Sequence, residues 1–534
     1  MAFAGRSMFT NRRRIQSLGA AVLLVFVVQW LHPLSSDAES NDYPFKWQSP
    51  LHDRGKPALD LPSEYNEFLE HAIPQSEYCN ERFTPRYLDD FRTHAIQYCA
   101  AGSAASLHCF QGQTRPNNVV DSICIGQGAT LDVAGGKFAL DCELRAPDAN
   151  ETSRGLMPFD GMKPEWYETG SRWIFDHFVK VERGSSGAAT MQSTTRSAVR
   201  SSNMNPQFAL LVKREGSSNI WHGLMEIWSM MMTFDLLRTS PNPSRKGAPF
   251  FADRSDLPNA QALVLDDLPD GNLFDLWTIF TGRPPVRWKD LVGDAEQARA
   301  FVQVPRNIII PLPGAANPLW QNDWVDHDCG YAPMLKTFVH RVLRFYGIST
   351  DKDDESPRIA AADHVDANAI INITFIDRTG SRRLLEHEAL LAAVAARHPR
   401  VRVKSVDFST IPFAEQLQLV RETDLLLGVH GAGLTHTMFM RDGRGAVVEI
   451  RPATNDYRGF RNLAFMKDLR YLTAYAEQVP RSESSDGDGQ SKRSPGMLVK
   501  RDSWHWDDVR IEPNNFMELM DAAIAALSHP RRGI

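Results

Sequence analysis

The chain has 534 residues, 43% of them hydrophobic and 23% charged, with a formal net charge of -6. That is a globular composition for about two to four domain-sized units. The mild acidity gives no basic footprint for nucleic acid, so DNA and RNA binding are set aside.

Arg6, Arg12, Arg13 and Arg14 precede an apolar, uncharged run from Ile15 to Leu31. Such a run meets the minimum of about 17 residues for a spanning helix. The arginines predict a cytosolic tail over 1–14, a signal-anchor helix over 15–34 and a lumenal body. The alternative is a cleaved signal peptide with a small-residue site near Ser36-Asp37-Ala38. Residues 35–60 are polar and contain proline, and read as a stem. The six cysteines are Cys79, Cys99, Cys109, Cys124, Cys142 and Cys329, with no CxxC pair. Their spacing excludes zinc modules and points to disulfides in an oxidising compartment, with the pairing left open. Residues 61–165 form a cysteine-rich region. Asn150-Glu151-Thr152 is a glycan acceptor on a polar loop; Asn372-Ile373-Thr374 fits the same pattern but lies in an apolar run and reads as buried.

The tracts 183–203 and 481–496 are low in complexity, cannot bury a core and read as mobile loops. A first α/β lobe over 166–350 contains a helix at Trp221–Leu237 and strands at Ala262–Leu265 and Arg306–Ile310. A second lobe over 365–480 alternates cleanly. Strands at Ala369–Ile376, Val401–Val406, Asp424–Val429 and Gly445–Ile450 are separated by helices at Glu386–Arg397 and Phe413–Glu422. This is the pattern of βαβ units on a parallel sheet, a Rossmann-like lobe. A C-terminal segment, 497–534, ends in an amphipathic helix, Asn515–Leu527, with Phe516, Leu519, Ala523 and Leu527 on one stripe.

The chemistry concentrates at the second lobe. Gly428-Val429-His430-Gly431-Ala432-Gly433-Leu434-Thr435 follows a strand and opens a short helix. Glycines there let a diphosphate approach the backbone and the positive helix end. The spacing matches neither GxGxxG nor a P-loop. Arg378, Arg382 and Arg383 follow another strand end, in DRTGSRRLL, where bidentate phosphate binding is natural; the plain alternative is a charged surface turn. Glu449 ends a further strand and is a candidate for ribose hydroxyls; the alternative is a solvated strand-end carboxylate. In the first lobe, His222 and Glu226 share a helix face, and either is a candidate base for an acceptor hydroxyl; simple helix packing is the competing reading. Asp266-Asp267-Leu268-Pro269-Asp270 reads as a turn before it reads as a metal site.

The stretch GVHGAGLTHTMFM, residues 428–440, closely resembles the signature of glycosyltransferase family 61. The Asn219–Glu226 element and the arginine turn are similar to its other blocks, in the same order. The resemblance covers about residues 205–475. It implies a GT-B-like pair of Rossmann-like lobes and inverting transfer from a UDP-sugar; the family includes N-acetylglucosaminyl- and β-1,2-xylosyltransferases. Carried over, His430, Gly431, Ala432, Gly433 and Thr435 hold the diphosphate, and Arg378 with Arg382 or Arg383 neutralises departing UDP. Glu449 takes the ribose, and His222 or Glu226 faces the acceptor. Arginines and a helix end in place of a cation predict activity without a metal and without a cofactor beyond the donor. The expected partners are a UDP-sugar, a glycoprotein or glycan acceptor, and a membrane through the anchor. The terminal HPRRGI has no KDEL-like signal, which favours a single-pass type II protein of Golgi or endoplasmic reticulum. A xylosyltransferase, a non-catalytic lumenal lectin and a nucleotide-binding oxidoreductase are the competing readings; the absence of GxGxxG argues against the last.

Overall fold

The computed structural model describes residues 61–527 except 70–71, 116–118, 165–166, 185–206, 246, 295, 297, 299–300, 302–305, 351–368, 454 and 481–504. The expected tail, anchor and stem lie outside the described residues, as do nearly all of both low-complexity tracts. No helix of the described residues is long and apolar enough to cross a membrane. All described residues belong to one compact unit.

Two sheets carry the architecture. The first contains β1 (Ala95–Gln97), β2 (Ser106–Arg115), β3 (Val119–Asp132), β4 (Lys137–Asp141), β5 (Val179–Glu182), β6 (Phe208–Val212), β7 (Ala260–Val264), β8 (Val286–Arg287) and β9 (Arg306–Ile310). Its order is β1-β2-β3-β9-β6-β7-β8, with β4 and β5 branching from β3. β9, β6, β7 and β8 run parallel. β6 and β7 are buried along their whole length. Continuous apolar runs such as FALLV belong in the middle of a parallel sheet, covered on both faces. The cysteine-bearing region is not an appendage. β3 pairs antiparallel with β9, placing Cys124 opposite Ile310, so this region completes the sheet.

Three disulfides form, Cys79–Cys329, Cys99–Cys142 and Cys109–Cys124. Cys109 and Cys124 face each other in the β2–β3 register. Cys79, on helix α1 (Glu77–Phe83), reaches Cys329 across 250 residues of sequence. That bond closes a long loop and so removes many conformations of the unfolded chain.

Helix α2 (Ile220–Thr239) runs through the main hydrophobic core, which also holds Phe208, Leu210 and Val212 of β6. It starts at Asn219, whose side chain accepts the Trp221 N–H at 3.0 Å, a side-chain cap for an otherwise orphaned donor. Beyond its first turn it is buried nearly all round, which is why its sequence shows no polar face. Trp228 of α2 stacks on Phe338 of α3 (Pro333–Phe345), with ring centroids 5.5 Å apart.

The second sheet contains β10 (Ile371–Ile376), β11 (Val401–Val406), β12 (Leu425–Val429), β13 (Ala446–Pro452), β14 (Arg470–Val479) and β15 (Asp508–Arg510). Its order is β11-β10-β12-β13-β14-β15, parallel except for the antiparallel pairing of β15 with β14. Helices α4 (His387–Arg397), α5 (Phe413–Arg421), α6 (Gly459–Met466) and α7 (Pro513–Leu527) accompany it. The expected strands and helices recur here within a few residues at each end. On α7, Phe516, Ala523 and Leu527 are buried as the stripe predicts, and Met520 and Ile524 join them. Asn372, the second glycan candidate, lies in β10 with its side-chain amide donating to the Glu422 carbonyl. Asn150 is exposed on a short helix, Ala149–Ser153, where the sequence reads as a loop. The capping box of Asp148 and Glu151 explains that helix.

His108 on β2 is buried against Phe250, and neither ring nitrogen has a hydrogen-bond partner. Burial pushes its pKa down to about 4. The unfolded chain therefore takes up a proton as pH falls through about 6.5, while the folded state resists until about 4. Stability is lost across that window by about 2 kcal/mol at pH 5. His108→Phe removes this loss, so its melting temperature relative to the unmodified protein rises further at pH 5 than at pH 7.5. Parallel melts at the two pH values check this, and an equal difference at both overturns it.

Candidate functional site

In chain order the first five strands of the second sheet lie 2-1-3-4-5. The chain leaves β10 for β11 on one side, and β12 sits on the other. Between their carboxyl ends lies a switch point, where ligands of open parallel sheets bind. Residues 377–383 leave β10 there, and residues 430–433 leave β12.

The two turns close on each other. A Cβ on Gly431 would lie 2.5 Å from Arg378 Nη1 and 3.5 Å from Arg382 Cζ. Any side chain at 431 would have to push the Arg378 guanidinium aside. Gly433 is constrained likewise, since a Cβ there would meet Ile376 Cγ2 at 2.9 Å. Arg378 Nε donates to the Ser381 carbonyl at 2.8 Å, which curls the turn over the strand end. Arg382 holds a left-handed φ of 58°. Burial lowers the pKa of Arg378, and burial followed by the Arg378 charge pushes Arg382 down to about 9. Two cations crowded in a half-buried mouth favour an anion between them. His505, ahead of β15, is within electrostatic reach of Arg382 and His430; burial first, then those two groups, lower its pKa.

Arg383 goes elsewhere. Its guanidinium binds Asp508 at 2.6 Å and its N–H donates to the same carboxylate, tying the turn to β15. Of the three arginines, Arg378 and Arg382 face the mouth, and Arg383 is an anchor.

His430 is buried behind this turn, with Nδ1 2.5 Å from Glu449 Oε1. Tyr471 donates to the other oxygen of Glu449. Glu449 is fully buried with both oxygens engaged, so it does not reach a ribose; it orients His430. Burial lowers the His430 pKa against the opposing pull of Glu449. Thr435 is also fully buried, inside the short helix Ala432–Phe439. His436 of that helix is within hydrogen-bond reach of Gln416 at 2.7 Å, and Gln416 donates to the Phe408 and Ile411 carbonyls. These bonds fix the 408–411 turn beside the mouth.

A cleft of about 740 Å³ joins this edge to the first sheet. Arg378, Arg382, Ala432 and Gly433 line one wall, and Asn219, Gly223 and Glu226 line the other. Glu226 is buried, and its Oε1 accepts the Glu215 N–H at 2.5 Å. His222 lies beside the cleft, with its ring 4.3 Å from Trp320 and 5.3 Å from Tyr167. Its Nδ1 is 3.3 Å from Glu215 Oε2. The acidic turn resolves differently. Asp266 is clamped by Arg214 at 2.7 Å, and that guanidinium also donates to the carbonyls of Leu268, Pro269 and Asp270. Asp267 pairs with Lys289 at 2.9 Å, so the two carboxylates are held apart by separate cations.

Glu215, Tyr471 and His436 escaped the sequence reading. His436 sits inside the signature stretch and was within reach of it. Glu215 and Tyr471 belong to no pattern, because their roles depend on contacts 7 and 22 positions away.

Comparison with known proteins fits this layout. Residues 220–447 match the family described as Glycosyltransferase 61. The matched span runs from the start of α2 into β13 and so includes residues of both walls of the cleft. The chain is 25% identical over 331 residues to the EGF domain-specific O-linked N-acetylglucosamine transferase of Drosophila melanogaster, covering 60% of this chain and 55% of that protein. Against the protein of the same name from Xenopus laevis it is 34% identical over 165 residues, 30% of this chain and 28% of the relative. The Mus musculus protein gives 27% over 206 residues, 38% and 35% of the two chains. The chain thus spans about half the length of the fly relative and about a third of the vertebrate ones. The signature, the arginine turn and residues 220–226 all lie inside the span that matches the glycosyltransferase 61 family.

Proposed function

We propose that this protein is an inverting glycosyltransferase that moves a sugar, best read as N-acetylglucosamine, from a UDP-sugar to a protein or glycan hydroxyl in the secretory pathway. The observation that carries the reading is the Arg378–Arg382 pair packed on Gly431 at the strand switch point, facing Glu226 across one cleft. The GT-B-like assignment rests on the two sheets flanking that cleft. The donor sugar rests on the named relatives, all EGF domain-specific O-linked N-acetylglucosamine transferases.

The reaction is a single displacement. The acceptor oxygen attacks C1 of the sugar from the face opposite UDP, and its proton passes to a base on the α2 wall. The C1–O bond to the diphosphate breaks, UDP leaves with the electron pair, and the anomeric configuration inverts. Arg378 and Arg382 neutralise the charge that builds on the diphosphate, the role a divalent cation plays in other transferases. Donor hydrolysis is limited where the walls exclude water.

A Golgi or endoplasmic reticulum location, with the body lumenal, is supported by the three disulfides. The anchor over 15–34 is part of this proposal.

A thermal-shift screen of the purified protein with UDP, UDP-N-acetylglucosamine, UDP-xylose, GDP-mannose and NAD tests the class. Stabilisation by UDP and one UDP-sugar is expected, and stabilisation by none overturns the reading. Arg378→Ala and Arg382→Ala should each weaken UDP binding about tenfold or more, the cost of losing a charge-assisted contact. Arg383→Ala should lose far less affinity and instead lower the melting temperature; calorimetric titration with UDP separates the three. Excess EDTA should leave turnover within about twofold. Full loss restored by Mn²⁺ would overturn the cation-free mechanism.

A further inference from the structure

Glu215 lies in the turn after β6, with its side chain fully buried. We infer that Glu215 is the positioning residue that makes His222 the acceptor base, and that Glu226 beside it is held as the neutral acid. This rests on the transferase reading and deepens its acceptor side.

The geometry divides the two carboxyls. Glu215 Oε1 accepts the Ala315 N–H at 2.8 Å, and Oε2 lies 3.3 Å from His222 Nδ1. Glu226 receives the Glu215 N–H on Oε1. The turn Gly314–Ala316 closes directly on the pair. A Cβ on Gly314 would lie 2.6 Å from Glu226 Cγ and 3.1 Å from Glu215 Oε1, so no side chain fits between them. Two carboxyls packed this tightly do not both ionise without a cation to share. The groups facing Glu226 are Glu215, Asp266 and Arg214. Arg214 is committed to Asp266 and three carbonyls. Those facing Glu215 are His222, Glu226 and Tyr167. Glu215 is thus the carboxyl that stands opposite an imidazole and an amide N–H. Glu226 holds the proton, and burial, then the Glu215 charge, raise its pKa well above the carboxylate range.

The consequence is chemical. Glu215 Oε2 has no hydrogen-bond partner among the described residues, and His222 Nδ1, 3.3 Å away, is a donor in reach; a proton placed there leaves Nε2 as the lone-pair nitrogen. Edge-on packing of Trp320 and Tyr167 holds the ring plane. When the acceptor hydroxyl gives its proton to Nε2, the Glu215 carboxylate offsets the imidazolium that forms. A charged Glu226 would place a second anion in the same pocket and raise the cost of the buried pair.

The test uses the full-length protein with the UDP-sugar found in the donor screen, and three readouts. Glu215→Gln should lower kcat by about 100-fold or more, the usual worth of a positioned base, with KM for the donor and UDP affinity within about twofold. Glu226→Gln should cost at least tenfold less in kcat, because an amide resembles a neutral carboxylic acid. Infrared difference spectra at pH 7.5 should show a protonated-carboxyl C=O band in the unmodified protein that disappears in Glu226→Gln and survives in Glu215→Gln. A Glu226→Gln loss as large as that of Glu215→Gln, or the absence of the band, overturns the assignment. Equal losses of UDP affinity and melting temperature in both variants would reduce Glu215 to a structural role. An unmodified protein that binds UDP, shows the band and transfers no sugar would sink the transferase reading and leave the proton assignment standing.

Discussion

The close approach of Arg378 to Gly431 is the contact on which the candidate site depends. Two turns from neighbouring strands of one sheet meet where a side chain at position 431 would displace the Arg378 guanidinium. Each turn is fixed by its own strand. β10 and β12 are neighbours in register from Ile373 and Leu425 to Ile376 and Gly428, deep in the core. The cationic mouth is thus set by backbone hydrogen bonding and apolar burial, and the arginines inherit their positions from the sheet. Their crowding is unfavourable in isolation, as the depressed pKa of Arg382 shows. Stability from the surrounding sheet sustains it, a familiar arrangement where a site awaits an oppositely charged ligand.

Behind the mouth, polar groups are satisfied in pairs that leave the ligand side to others. Glu449 is consumed by His430 and Tyr471, Arg383 by Asp508, and Asp266 by Arg214. Each pair joins a site turn to a neighbouring element: β12 to β13 and β14, the arginine turn to β15, and β6 to the turn after β7. A buried charge is retained only where a partner meets it, and here the partners double as braces. Loss of either member of a brace would displace the turn it holds as well as strand a charge.

The alternating segment from 371 to 452 was legible because buried parallel strands read as apolar runs and the connecting helices keep their own period. Val401–Val406 and Arg306–Ile310 fall where the sequence puts them. The cysteine region was less legible. That β3 would pair with β9, some 180 residues later, depends on register between distant strands, which local pattern does not encode. At the site, residue type announced the arginines and glycines, but which way each side chain turns did not follow from type. Arg382 and Arg383 are adjacent and alike in sequence; one faces the mouth and one faces β15 because Arg382 takes a left-handed φ and Asp508 waits behind Arg383. Glu449 reads as a strand-end ligand and is instead in the middle of β13, which extends to Pro452.

The two walls of the cleft differ in chemistry, and the difference has a direction. On the sheet-edge wall are Arg378 and Arg382; on the α2 wall are Glu226 and, behind it, Glu215. In a displacement of the proposed kind, negative charge moves onto the leaving diphosphate while a proton moves off the acceptor. Cations on one side favour the first movement and an anion-backed imidazole on the other favours the second. Because both walls are fixed by folded elements before any ligand arrives, little reorganisation is needed as charge develops, and preorganised dipoles and charges of this sort are the largest single source of catalytic stabilisation. The proposed donor, with its sugar on a diphosphate, matches the cationic wall by charge.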